Sequence, residues 1–169
     1  HFGAVNRTAR VYLNGSFAGA HEGGFTPFNL EVTPLLRAGE NSLVVLADSG
    51  RDRDAVPTLM TDWWNYGGIT RPVRLVEVPE TFIRDYFLYL EPGSTRVIRG
   101  RVRLDGPHKR QRITVRIAEA GVAATVETDD DGYAELRMEA DLELWSPGSP
   151  RLYEVVVEAD SDSVTDTFG

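Results

Sequence analysis

Val97-Ile98-Arg99-Gly100-Arg101-Val102-Arg103-Leu104 alternates strictly. Ile98, Gly100, Val102 and Leu104 fall on one side of an extended chain, and Arg99, Arg101 and Arg103 on the other. Successive side chains of a strand point to opposite faces, so this octet reads as a half-buried β-strand with an arginine-bearing outer face. The same period recurs downstream. Ile113, Val115 and Ile117 alternate with Arg112, Thr114 and Arg116, and Ala134, Leu136 and Met138 alternate with Glu135, Arg137 and Glu139. With 82–90, 122–128, 151–159 and 163–168 this gives about seven strands at roughly ten-residue spacing, the count of an immunoglobulin-like sandwich. No apolar i, i+3, i+4 stripe lasts three turns, so no long helix is expected.

The regular pattern begins after Pro79-Glu80, which divides the chain into residues 1–79 and 80–169. In the first part Asn14-Gly15 sits between Val11-Tyr12-Leu13 and Ser16-Phe17-Ala18, the strongest short-range hairpin signal. Gly23-Gly24 lets the chain turn again before Phe25 and Phe28. Residues 41–47 read as a continuous apolar strand, and Arg71 to Val78 begins another. Between them, 48–70 is loop-like, charged from Asp48 to Asp54 and broken by Pro57. Long unpatterned excursions are where function concentrates.

Composition narrows the classes. The 169 residues are 41% hydrophobic, enough for one ordinary domain or two small ones. Nine prolines and sixteen glycines, with many Val, Thr and Tyr, suit an all-β protein. With no cysteine, disulfides and thiolate metal sites are excluded, and three scattered histidines argue against zinc. No metal or cofactor is therefore expected. Residues 1–78 carry 8 acids against 7 bases, net −1, and residues 79–169 carry 18 against 11, net −7. A surface of that sign repels phosphate backbones, so nucleic acid is not an expected partner. No apolar run approaches the ~20 residues of a membrane span, so no membrane partner is expected either. The compartment stays open, the lack of cysteine favouring the cytoplasm only slightly.

The excursion ends in Asp62-Trp63-Trp64-Asn65-Tyr66-Gly67-Gly68, the residue types a sugar subsite needs. A carboxylate accepts two hydroxyl hydrogen bonds, and flat rings cover the apolar face of a pyranose. The same residues also suit core aromatics beside a turn, with a carboxylate that holds backbone N–H groups. Arg71 reads as a carbonyl or ion-pair contact beneath the loop, and His21-Glu22 as shaping a hairpin. Asp129-Asp130-Asp131-Gly132 lacks the spaced ligands of a calcium loop and reads as a hairpin turn. Trp145, Pro147 and Pro150 read as structural.

Asp62 to Arg71 resembles the sequence that closes the sugar-binding domain of glycoside hydrolase family 2. Those enzymes are β-galactosidases, β-glucuronidases and β-mannosidases, and the β-glucuronidase version is the nearest, although Thr61 departs from its histidine. Three further segments carry the resemblance in the same order. Val11-Tyr12-Leu13-Asn14-Gly15 with Gly19 to Phe28 is similar to the family's central hairpin, and Leu35 to Val45 to the strand that follows. Leu144-Trp145-Ser146-Pro147, Pro150 to Tyr153 and Asp166 to Gly169 resemble the end of its immunoglobulin-like domain.

The resemblance implies an all-β chain. Residues 1–79 would be part of a jelly-roll sugar-binding β-sandwich and 80–169 an immunoglobulin-like β-sandwich. Further strands would precede His1, and a catalytic barrel would follow Gly169. Asp62 would reach into that barrel's active site and bind hydroxyls of the carbohydrate substrate. Asn65 would assist or shape the turn, and one of Trp63 and Trp64 would pack inward while the other faces the pocket. The family hydrolyses with retention through two barrel glutamates, the acid/base one preceded by asparagine. This chain contains no Asn-Glu dipeptide, so it holds no expected catalytic residue and is expected to be inactive alone. The alternatives are a stand-alone carbohydrate-binding module and a purely structural β-sandwich pair. Missing strands would leave apolar faces open around 1–13 and 41–47, and self-association through the first domain is expected.

Overall fold

The computed structural model describes all residues from His1 to Gly169. The chain is almost entirely β, and its only helical pieces are two short 3-10 turns, Thr33–Leu35 and Ala118–Ala120. It forms two compact units, His1–Val76 and Glu77–Gly169.

The second unit holds the seven strands that the period-2 pattern requires. They are numbered here after five in the first unit: β6 (Phe82–Leu90), β7 (Val97–Asp105), β8 (Arg112–Ile117), β9 (Val122–Glu127), β10 (Tyr133–Glu139), β11 (Tyr153–Glu158) and β12 (Ser163–Phe168). One antiparallel sheet runs β10-β7-β6 and the other β12-β11-β8-β9. Ile98, Val102, Leu104, Ile113, Val115, Ile117, Val155 and Val157 are buried between them. Each such side chain contributes about 1.5–3 kcal/mol by leaving water. Arg99, Arg101 and Arg103 point outward as the alternation demands.

Tyr153, the first residue of β11, is buried, and its hydroxyl accepts from the Glu143 amide at 2.8 Å, in the manner of a tyrosine corner. Across the β6–β12 side, a groove of about 540 Å³ is spanned by Tyr86, whose hydroxyl donates to Asp166 at 2.7 Å. Burial and then this bond push the Tyr86 phenol up, while the phenol and the Thr167 amide hold the Asp166 carboxyl low. The Asp129 carboxylate accepts from the Asp131 and Tyr133 amides, and Gly132 takes φ +82°. That segment is a turn, as expected. However, the strands it joins lie in different sheets, so it crosses the sandwich instead of closing a hairpin.

The first unit contains β1 (Val5–Asn6), β2 (Thr8–Leu13), β3 (Ser16–Glu22), β4 (Leu43–Asp48) and β5 (Gly68–Ile69). Strand β2 lies between β3 and β4, and β1 pairs with β5, all antiparallel. Asn14 and Gly15 both take positive φ, the geometry a two-residue hairpin needs. Asn14 does more than turn. Its side chain donates to Leu35 O and accepts from the Ser42 amide, tying the hairpin to the chain before β4. Phe2, Val5, Ala9 and Val11 form the core, with Phe28 stacked on Phe2 at 4.8 Å.

Two expectations are corrected. Arg71 to Val78 is not a strand. Its first residues run beside 1–4 through bonds from Gly3 to Pro72 and from Arg74 to His1, and Phe2 bridges Val73. Pro72 has no donor for that ladder, and 75–78 join no strand. Residues 1–13 do not expose an apolar face either, because β2 is central and Phe2, Ala4, Val5, Ala9, Val11 and Leu13 are buried. The edges of this sheet are β3 and β4, each paired only with β2.

Candidate functional site

The excursion between β4 and β5 is held at both ends by one dipeptide, Asn6-Arg7. At the first stem the Arg7 amide donates to Asp48 O at 2.8 Å, and Asp48 Oδ1 accepts from the Gly50 amide at 2.8 Å. The Arg7 guanidinium donates to Gly50 O at 3.0 Å and to Glu22 Oε1 at 3.2 Å. At the second stem Asn6 Nδ2 donates to Asn65 Oδ1 at 2.8 Å and to Tyr66 O at 2.7 Å. Asn6 is 2% exposed, and a buried amide must place its donors, so these bonds fix where the loop returns. Gly24 lies against the Asn6 amide, where a Cβ would come within 2.6 Å of its oxygen. The stems touch where Gly67 faces Ser49. Closed ends on an irregular span make this an Ω-like loop.

The span itself is sparsely tied. Arg51 donates to Leu59 O, Thr58 to Met60 O and Thr61 to Trp63 O, and Val56-Pro57 is a cis bond. Residues 56–58 and 60–63 enclose a shallow hollow of about 330 Å³ with Asp62 on its wall. Asp62 is exposed, and its carboxylate takes no hydrogen bond or ion pair from the rest of the chain. Trp63 is 62% and Trp64 88% exposed, so the expected division into one inward and one outward ring is not seen. Asn65 is half-buried, its oxygen is taken by Asn6, and its own NH₂ is left as a donor.

The neighbouring candidates settle into structural work. Arg71 donates to Phe25 O at 3.0 Å, a carbonyl contact on an exposed side chain without an ion pair. His21 stacks on Phe28 at 4.3 Å and meets Thr26 Oγ1 at 3.0 Å, while Glu22 holds Arg7. The residues that sequence reasoning passed over are Asn6 and Arg7. Neither stands in a motif or at a telling spacing. Only their burial and bonding single them out. Chemically, the loop places a free carboxylate, that of Asp62, beside two bare indoles, which is equipment for binding hydroxyls and a ring face.

Two family models match, that of the family 2 glycosyl hydrolase sugar-binding domain over residues 1–79 and that of family 2 glycosyl hydrolases over residues 81–169. A β-galactosidase of Thermoanaerobacter pseudethanolicus is 32% identical over 94% of this chain and 23% of its own length. A Bacteroides fragilis β-glucuronidase is 41% identical over 54% of this chain and 13% of its own. The solved structure of Bifidobacterium dentium β-glucuronidase complexed with coumarin-3-O-glucuronide superposes with a TM-score of 0.78 at 25% identity, over 99% of this chain and 35% of that one. The chain thus spans about a third or less of the length of these relatives.

Proposed function

The chain belongs to glycoside hydrolase family 2, and from that premise we propose that residues 1–169 are the non-catalytic accessory half of a retaining glycosidase of β-galactosidase or β-glucuronidase type. Residues 1–79 are then part of the jelly-roll sugar-binding domain and 80–169 the immunoglobulin-like domain. The loop lends Asp62 to the active site of a catalytic barrel elsewhere in the parent chain. There the carboxylate accepts hydroxyl hydrogen bonds from the carbohydrate substrate, Trp63 and Trp64 wall the subsite, and the Asn65 amide adds a donor.

The observation that carries this reading is the unpartnered Asp62 carboxylate on the wall of the loop's hollow, next to two exposed indoles, on a loop tied at both ends. Structural acids here behave otherwise: Asp48 and Asp129 each hold backbone amides. Retaining hydrolysis needs a carboxyl pair ~5–5.5 Å apart about the glycosidic bond, which the barrel is proposed to supply. Purified residues 1–169 are therefore expected to release no nitrophenol from nitrophenyl glycosides, whereas the full-length protein does. Turnover by the fragment that a single carboxylate change abolishes would refute the accessory role. The exposure of Trp64 also suits a stand-alone carbohydrate-binding module. Saturable binding of simple glycosides by a parent gene product that lacks a barrel would establish that reading instead.

Self-association of the isolated chain follows from β4, which lies at the edge of its sheet with Leu43, Val44 and Leu46 each about half exposed. An apolar edge whose one charge, Asp48, stands at the end of the strand is a template for another strand. Light scattering is expected to show concentration-dependent association, with Leu46→Lys restoring the monomer. A wild-type chain that stays monomeric at high concentration would rule it out.

A further inference from the structure

We propose that Arg7 is a positioning residue for Asp62, acting through the first stem of the aromatic loop; the proposal rests on the sugar-contact reading above. Asp62 makes no hydrogen bond or ion pair of its own, and the bonds inside the loop are local ones between residues two to eight apart. Its place is therefore inherited from the stems. The second stem is fixed by the buried Asn6 amide and by the pairing of Val5 with Ile69 and Asn6 with Gly68. The first leaves the sheet at Asp48, and beyond that point it is reached by the side chain of Arg7, the bend residue between β1 and β2.

The guanidinium works there as a two-pronged clamp. One prong takes Gly50 O at 3.0 Å and the other takes Glu22 Oε1 at 3.2 Å, with the Asp52 carboxylate 3.9 Å away. Glu22 is anchored in β3, so the fork is oriented from the sheet side before it meets the loop. The Arg7 side chain is 22% exposed, against 72% for Glu22, which places the cation inside and its partner outside. A planar fork with two anchors fixes direction as well as distance, which a flexible ammonium does not. Because residues 6 and 7 are adjacent, both stems hang from one point, the junction of β1 and β2. Releasing one lets the span pivot on the other.

The test uses the full-length enzyme. Arg7→Met keeps the aliphatic stem and removes the fork. It is expected to lower kcat/KM ~10-fold, mainly through kcat, because a misplaced transition-state contact costs rate. Arg7→Lys reaches one anchor and recovers part of the loss, and Arg10→Met, exposed on the adjoining strand β2, changes nothing. In an Asp62→Ala background Arg7→Met is expected to cost nothing further, because the group it positions is gone. An equal loss in both backgrounds, or a lowered Tm with unchanged kcat/KM, overturns the proposal. If Arg7→Met does not fold, Arg7→Lys carries the same comparison. If Asp62→Ala is itself silent, the sugar-contact reading fails and this one fails with it. If Asp62→Ala is strong and both Arg7 variants are silent, only the clamp is wrong.

Discussion

Asp62→Ala in the full-length enzyme is expected to lower kcat/KM by roughly thirty- to a thousand-fold. The figure corresponds to ~2–4 kcal/mol for one charge-assisted contact that strengthens as the transition state forms. Stability is expected to move little, because the carboxylate takes no bond from the protein and lies in solvent. Exposed positions without partners change stability by about 0.5 kcal/mol or less. Asp62→Asn separates charge from shape. It keeps one acceptor and should fall between wild type and alanine. Steady-state kinetics beside a thermal melt decide the matter. An unaltered rate with a lowered Tm would mean that the acid serves the loop and not a sugar.

The second unit was legible in the sequence to a degree that the first was not, and the reason is burial on one face. Where a sheet covers a core on one side and meets water on the other, each inward position must be apolar, and the period-2 pattern follows. Ile98, Val102 and Leu104 obey it and are at most 1% exposed. Gly100 obeys it by omission, since a Cβ there would strike the Leu88 side chain. The segment after Arg71 looked equally apolar yet forms no strand, because Leu75, Val76 and Val78 have neither a backbone partner nor a core beneath them. Pattern reports what a strand would bury, not whether a neighbour is present.

The aromatic loop was visible through its composition, and the family resemblance pointed to Asp62. What stayed hidden was how the loop is held. Asn6 and Arg7 act through single side chains on residues more than forty positions away, at Gly50, Asn65 and Tyr66. No periodicity encodes such contacts.

Gly106→Ala is expected to be the most damaging single-methyl change in the second unit. Gly106 follows β7 at φ +125°, a conformation that a side-chain-bearing residue adopts only under strain. An added Cβ there would overlap the Glu80 carbonyl and lie 2.6 Å from Thr81 Cα, and backbone cannot rotate out of its way. Its neighbours belong to a buried polar knot that closes this end of the sandwich. Thr81, 3% exposed, accepts at Oγ1 from the His108 amide, and its carbonyl accepts from Ser161. The buried Gln111 donates from its side chain to His108 O and from its backbone to Thr128 Oγ1, while the Ile83 amide donates to Asp162. Shifting Glu80 and Thr81 to admit the methyl would strain these bonds together, and buried groups left unpaired are costly. Strain and lost bonds should remove ~2–4 kcal/mol, lowering the Tm of this unit by roughly 10–25 °C. Gly148→Ala is the matched control, with ordinary φ and open space around the new methyl, and should melt like the wild type. Calorimetry of the two variants makes the comparison. If Gly106→Ala melts within about 2 °C of Gly148→Ala, the knot yields without cost and the close approach at Gly106 does not constrain the fold.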